Sequence, residues 1–123
     1  MMLTSNGLTN DTLRQRFDEL LGRPIAECRI VVVVDAFLGF AGDKGQFLDH
    51  LQEYRAFGWA EFDVVSLLAS PRDLVEPRLR AADVIYCYGG SNHWLAHAWR
   101  ASGLAPVLAE LLEHTLYLGM SAG

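Results

Sequence analysis

Apolar and polar positions along this chain switch repeatedly between two patterns, short β-prone runs and longer stretches with helical spacing. Met2 to Ser5 reads as a short first strand, ended by a turn at Asn6-Gly7. Thr9 or Asn10 can cap a helix whose Leu13, Phe17, Leu20 and Leu21 share one face, and Gly22 and Pro24 stop it. Arg29 to Val34 is a continuous, largely β-branched run, as expected of a central strand covered on both faces. A second helix is predicted over residues 43–57, with Phe47, Leu51 and Tyr54 at helical spacing, and Phe62 to Leu67 gives a third strand. Pro71 to Arg80 reads as a short helix whose continuity Pro77 puts in question. Asp83 to Cys87 is a fourth strand running into Tyr88-Gly89-Gly90-Ser91-Asn92. A helix from His93 to Ala101 follows, broken at Gly103, and Pro106 suits the first turn of another that runs to Glu113. The fifth strand, Thr115 to Leu118, leads into Gly119-Met120-Ser121-Ala122-Gly123.

Strict alternation of strand and helix predicts an α/β fold, a doubly wound, mostly parallel sheet with helices on both faces. The 123 residues suit a single domain, residues 1–123, and no repeat, low-complexity tract or linker divides them. Hydrophobic residues make up 51% and charged residues 20%, so disorder is not expected. A formal net charge of −5, with no Lys/Arg cluster to offset it, argues against a nucleic-acid partner. The apolar run Ile30 to Val34 is far too short to cross a membrane, and the start lacks the basic and apolar regions of a signal peptide. Cys28 and Cys87 sit in or beside strands without C-x-x-C spacing and read as buried thiols. The expectation is a cytoplasmic protein with neither nucleic-acid nor membrane partner and no cofactor; homo-oligomerisation is left open.

Chemistry concentrates where strands end, because ligands of such sheets bind beyond the carboxyl ends of the strands. Gly119 to Gly123 spells G-x-S-x-G directly after a strand, the pattern of a nucleophile elbow. Small residues let the chain turn sharply and present the serine hydroxyl, here Ser121; the bland alternative is a tight turn that happens to contain a serine. An oxyanion hole beside an elbow takes one N–H from the residue after the serine, Ala122, and a second from a nearby loop. Gly90 is the candidate for that loop, with a structural turn as its alternative. Asn6, Asp35, Ser91, Asn92 and His93 lie at the same strand ends and are candidate substrate contacts. Asp35 reads equally well as a cap or solvated loop acid. His93 and His97 are spaced to face one metal, yet no third ligand is evident and Trp94 stands where a zincin has its acid; no metal site is expected.

Several stretches together resemble the S51 serine peptidases, the group of dipeptidase E and the cyanophycinases. They are Leu3-Thr4-Ser5-Asn6-Gly7-Leu8-Thr9, Ala82-Asp83-Val84-Ile85-Tyr86 leading into Gly89-Gly90, Trp99-Arg100-Ala101-Ser102-Gly103-Leu104, and the terminal G-x-S-x-G. They occur in the family's order across the whole chain. The resemblance implies a flavodoxin-like fold similar to class I glutamine amidotransferases, Ser121 as nucleophile, and an oxyanion hole from the Gly90 region and Ala122. It also implies a small peptide substrate, typically with aspartyl residues. Two departures touch the substrate side: Ser91-Asn92 stands where the family usually has Asn-Thr, or in some branches Asp-Pro, and Tyr88 where a glycine or small residue is common.

In the family the catalytic histidine and its acidic partner follow the elbow. His50, His93, His97 and His114 all precede Ser121 and match no catalytic position. The sequence therefore reads as a fold that is C-terminally incomplete, a fragment or truncated product. It would be inactive by itself although the full-length protein would be a serine peptidase. A non-catalytic binding module of the amidotransferase type and a nonfunctional remnant are the alternatives.

Overall fold

The computed structural model describes all residues from Met1 to Gly123. The chain runs β1 (Met2–Thr4), α1 (Asp11–Leu21), a single 3-10 turn at Ile25–Glu27, β2 (Arg29–Val33), α2 (Asp35–Leu38) and α3 (Gly45–Arg55). It continues through β3 (Glu61–Val65), α4 (Arg72–Arg80), β4 (Val84–Cys87), α5 (Asn92–Ala101), α6 (Ala105–Leu111) and β5 (Leu116–Met120). All five strands are parallel, in the order β1-β5-β4-β2-β3.

The doubly wound arrangement follows from the direction of each crossover. The β1 to β2 and β2 to β3 connections run one way along the sheet and place α1 and α3 on one face. The β3 to β4 and β4 to β5 connections run the other way and place α4, α5 and α6 on the opposite face. A single hand of crossover requires this division. The reversal falls between β2 and β4, so a crevice opens beyond their carboxyl ends.

The period of two along each strand sorts the core. Val31, Val33, Ile85 and Cys87 meet Val75, Leu79, Leu95, Trp99, Val107 and Leu111 on the α4–α5–α6 face. Ile30, Val32, Val84, Tyr86 and Leu118 meet Phe17, Phe47 and Tyr54 on the α1–α3 face. Cys28 and Cys87 are both buried and unpaired.

Local chemistry explains where the elements depart from the sequence expectation. Asn10, rather than Thr9, caps α1 by accepting from the Leu13 N–H at 2.9 Å, and Gly22 closes that helix in the left-handed region at φ 68°. α2 is an extra short helix. It arises because the apolar run continues into Asp35-Ala36-Phe37-Leu38, which turns at once on leaving the ladder. β3 ends at Val65 instead of Leu67, since the Leu67 and Leu68 N–H groups donate to the Asp35 carboxylate rather than to a neighbouring strand. α4 continues through Pro77, which lies on the solvent side, and the Ala81 N–H still donates to the Pro77 carbonyl at 3.1 Å.

Candidate active site

The elbow is built by backbone constraints at four glycines and one serine. Ser121 has φ 55°, the one non-glycine residue of the chain with positive φ. A serine held there is strained, and such strain is tolerated where the surroundings over-determine it. They do so here: the Ser121 N–H donates to the Thr4 carbonyl at 2.9 Å and the Gly123 N–H to the Met120 carbonyl at 2.9 Å. The Thr4 hydroxyl donates to the Gly119 carbonyl at 3.2 Å and accepts from the Gly7 N–H at 2.9 Å. β1 therefore clamps the elbow from one side, with Thr4 in register with Met120. A Cβ at Gly119 would lie 2.6 Å from the Gly123 carbonyl oxygen, and one at Gly123 would lie 1.9 Å from that of Cys87. Both outer glycines of G-x-S-x-G are thus required by backbone against backbone.

On the other side lies the Gly89-Gly90 loop at the end of β4. A Cβ on Gly89 would approach the Ser121 Cβ to 2.8 Å and its Oγ to 3.4 Å, so the loop packs directly on the serine. Gly90, at φ 146°, passes so close to α2 that a Cβ would sit 2.3 Å from the Ala36 carbonyl oxygen. The next residue fixes that approach, its Ser91 N–H donating to the same oxygen at 2.9 Å. The N–H groups of Gly90 and Ala122 form no backbone hydrogen bond, which leaves both free to donate beside an exposed serine.

Ser121 opens into a cavity of about 220 Å³ lined by Ser5, Asn6, Phe37, Gln46, His50, Tyr88, Gly89, Gly90 and Met120. No Lys, Arg, Asp or Glu lines it, and His50 is its one imidazole. The His50 Nδ1 is 2.7 Å from the Tyr88 hydroxyl. Tyr88 is buried with its ring edge-on to Phe37 and Phe47, at centroid distances of 5.4 and 4.9 Å. Burial pushes the Tyr88 phenol above its ordinary pKa, helped by neighbouring Tyr54 and Glu53. A second cavity, of about 280 Å³, shares Asn6, His50 and Met120 with the first and adds Thr9, Arg14 and Glu53 among its walls.

The structure brings Ser121, Gly90 and Asn6 together at one cavity, with Ala122 following the serine in the turn. It takes the other candidates elsewhere. Asp35 is buried, and its carboxylate accepts from the Ser66 hydroxyl at 2.8 Å and from the Leu67 and Leu68 N–H groups at 2.8 and 3.2 Å. It fastens the loop after β3 and is not a wall of the serine cavity. The Ser91 hydroxyl caps α5 by accepting from the Trp94 N–H at 3.2 Å. Asn92 accepts from the His93 N–H at 2.9 Å, and both side chains are exposed on the first turn of α5, outside the cavity wall. His97 stacks on Trp94 at 5.1 Å, and no group of three metal-ligating side chains forms anywhere in the chain. Gln46 and Phe37, and His50 in any role but a catalytic one, are not marked by the sequence pattern because they come from α2 and α3 rather than from a strand end. The one available signal was Tyr88, whose bulk departs from the small residue expected there.

The peptidase family S51 model matches residues 1–123. This chain belongs to peptidase family S51. No curated protein sequence matches it at a significant level. Among solved structures, a candidate peptidase E protein from Listeria monocytogenes EGD-e superimposes with a TM-score of 0.75 at 19% identity, over 98% of this chain and 57% of that one. A peptidase from an acI-B1 Actinobacterium gives 0.66 at 20% identity, over 98% and 53%. The S51 chain thus has the fold of these proteins and spans little more than half their length.

Proposed function

We propose that this chain carries the nucleophile half of a serine peptidase that hydrolyses small peptides through an acyl-enzyme. The observation that carries the reading is Ser121 at positive φ, exposed at the end of β5 between a β1 clamp and the Gly89-Gly90 loop. Ser121 Oγ attacks the scissile carbonyl carbon, and the developing oxyanion is held by the free N–H groups of Gly90 and Ala122. The Ser121 proton passes to a base, which returns it to the leaving amine; water then releases the acyl group by the same route in reverse.

Residues 1–123 put no carboxylate on the serine cavity, and its one imidazole is tied to Tyr88. The base and its acidic partner therefore come from outside these residues, and we expect no peptide turnover by residues 1–123 alone. Aspartyl-containing peptides are the substrates that family membership suggests. Two cations of this chain lie near enough to offer a counter-charge to such a carboxylate: Arg14, in the adjoining cavity, and Lys44, whose Nζ sits over the Phe37 ring of the serine cavity at 5.3 Å. No helix is long and apolar enough to cross a membrane.

The test is acylation of Ser121 by a small fluorophosphonate, mapped by mass spectrometry, with free imidazole added to stand in for the absent base. Slow labelling of Ser121 that imidazole accelerates, and that is lost in Ser121→Ala, is expected. Absence of any adduct at Ser121 under both conditions would leave a non-catalytic binding module as the better reading.

A further inference from the structure

His50 lies on neither a strand end nor a family motif, yet it lines both the serine cavity and the cavity beside it. Three residues, Asn6, His50 and Met120, line both cavities, which places the two side by side. The His50 ring is not free to turn. Its Nδ1 meets the Tyr88 hydroxyl at 2.7 Å, and Tyr88 is itself locked between Phe37 and Phe47.

The Tyr88 phenol keeps its proton, since burial raises its pKa. The hydroxyl and His50 Nδ1 share that hydrogen bond, and in the arrangement proposed below the phenol donates and Nδ1 accepts. The ring proton then sits on Nε2, which has no partner within the protein. The result is a fixed N–H donor at the mouth of the serine cavity, with neutral amides of Asn6 and Gln46 around it and no charged side chain on the wall. A donor among neutral polar groups suits peptide carbonyl oxygens rather than an ionic anchor.

We propose that His50, oriented by Tyr88, is a substrate-positioning residue that donates from Nε2 to a backbone carbonyl of the bound peptide as it passes from Ser121 into the cavity of Arg14 and Glu53. The role rests on the reading of Ser121 as the nucleophile, because it is that serine whose substrate is being placed. It requires no charge on the substrate at this point, so binding there is insensitive to salt.

The experiment uses the 123-residue chain with ¹⁵N-labelled histidine and the neutral probe acetyl-alanyl-alanine amide. The imidazole spectrum should show His50 as the Nε2–H tautomer, its Nε2 resonance moving on titration while those of His93, His97 and His114 stay fixed. His50→Phe should weaken probe binding about tenfold, the worth of one hydrogen bond, and His50→Gln should recover most of it. Tyr88→Phe should mix the tautomers and fall between. Thermal unfolding of each variant establishes that it is folded. The proposal is overturned by a His50 resonance indifferent to the probe, by equal affinity in folded His50→Phe, or by a His50→Gln no better than the phenylalanine variant. Failure of fluorophosphonate to label the unaltered chain would instead count against the peptidase reading, and the tautomer and titration would still stand or fall on their own.

Discussion

At the scale of single residues the site is made of backbone that tolerates no side chain. Gly90 combines φ 146° with a backbone oxygen 2.3 Å from where a Cβ would be. Gly90→Ala should therefore cost about 2 kcal/mol or more in urea unfolding, and slow the acylation of Ser121 by displacing its N–H. A change of stability within experimental error would show that the loop yields without strain. Asp35 teaches the opposite lesson about a residue that looked like a ligand. Its carboxylate accepts three hydrogen bonds in a buried setting, so Asp35→Asn should destabilise by about 1–3 kcal/mol, and it should leave peptide binding at Ser121 unaltered. The sequence placed Asp35 at the right strand end. It could not show that the amides of Leu67 and Leu68, more than thirty positions away, would converge on it. The glycines of the elbow were legible for the contrary reason: their constraint is local, written within five consecutive residues. His50 was not legible because, although Phe47, Leu51 and Tyr54 mark the inward face of α3 that it shares, nothing in the helix tells that this end of the face meets Tyr88 beyond β4.

At the scale of elements, the pattern read well wherever one strand or helix explains itself and poorly where partners decide. β2 was legible as a central strand from its continuous apolar run, and it is flanked by β3 and β4. β1 was legible as a strand, but its place beside β5 depends on parallel pairing across more than a hundred residues. Edge strand β3 shows how a polar residue is accommodated in such a sheet. Asp63 projects from it to α4, where Arg78 donates through Nε at 2.7 Å and through Nη2 at 2.6 Å. That hydrogen-bonded guanidinium holds the Asp63 carboxyl below the usual carboxylate range, against the opposing effect of partial burial. A folded-state pKa below the unfolded one means that the pair stabilises above about pH 4. Its contribution is lost as pH falls through the depressed value. Asp63→Asn should accordingly lower the melting temperature near pH 7, with the difference from the unaltered chain closing as pH falls below the ordinary carboxylate range. A gap that stays constant across that range would assign the effect to packing instead.

At the scale of the whole molecule, the question is whether residues 1–123 behave as one cooperative unit. Strand order argues that they do. β5, formed last in the chain, inserts between β1 and β4, so the sheet is sewn together by its two sequence ends. The elbow depends on both neighbours, through the Thr4 carbonyl on one side and Gly89 on the other. Two native thiols can report on this. Cys28 precedes β2, Cys87 ends β4, and both are completely buried. Burial also pushes the Cys87 thiol up to about 12, with a hydrogen bond to Tyr117 opposing and nearby Asp35 reinforcing the shift. At neutral pH neither should react with iodoacetamide in the native chain, because the nucleophile is the exposed thiolate. Pulsed alkylation along a urea series should then modify Cys28 and Cys87 at one common midpoint, coincident with the loss of helical circular dichroism. Alkylation of Cys87 well before Cys28 would mean that the half of the sheet carrying β4, β5 and the elbow opens alone. In that event the strained geometry at Ser121 would depend on support from outside these residues, since a local opening of that half would release the φ that presents the serine.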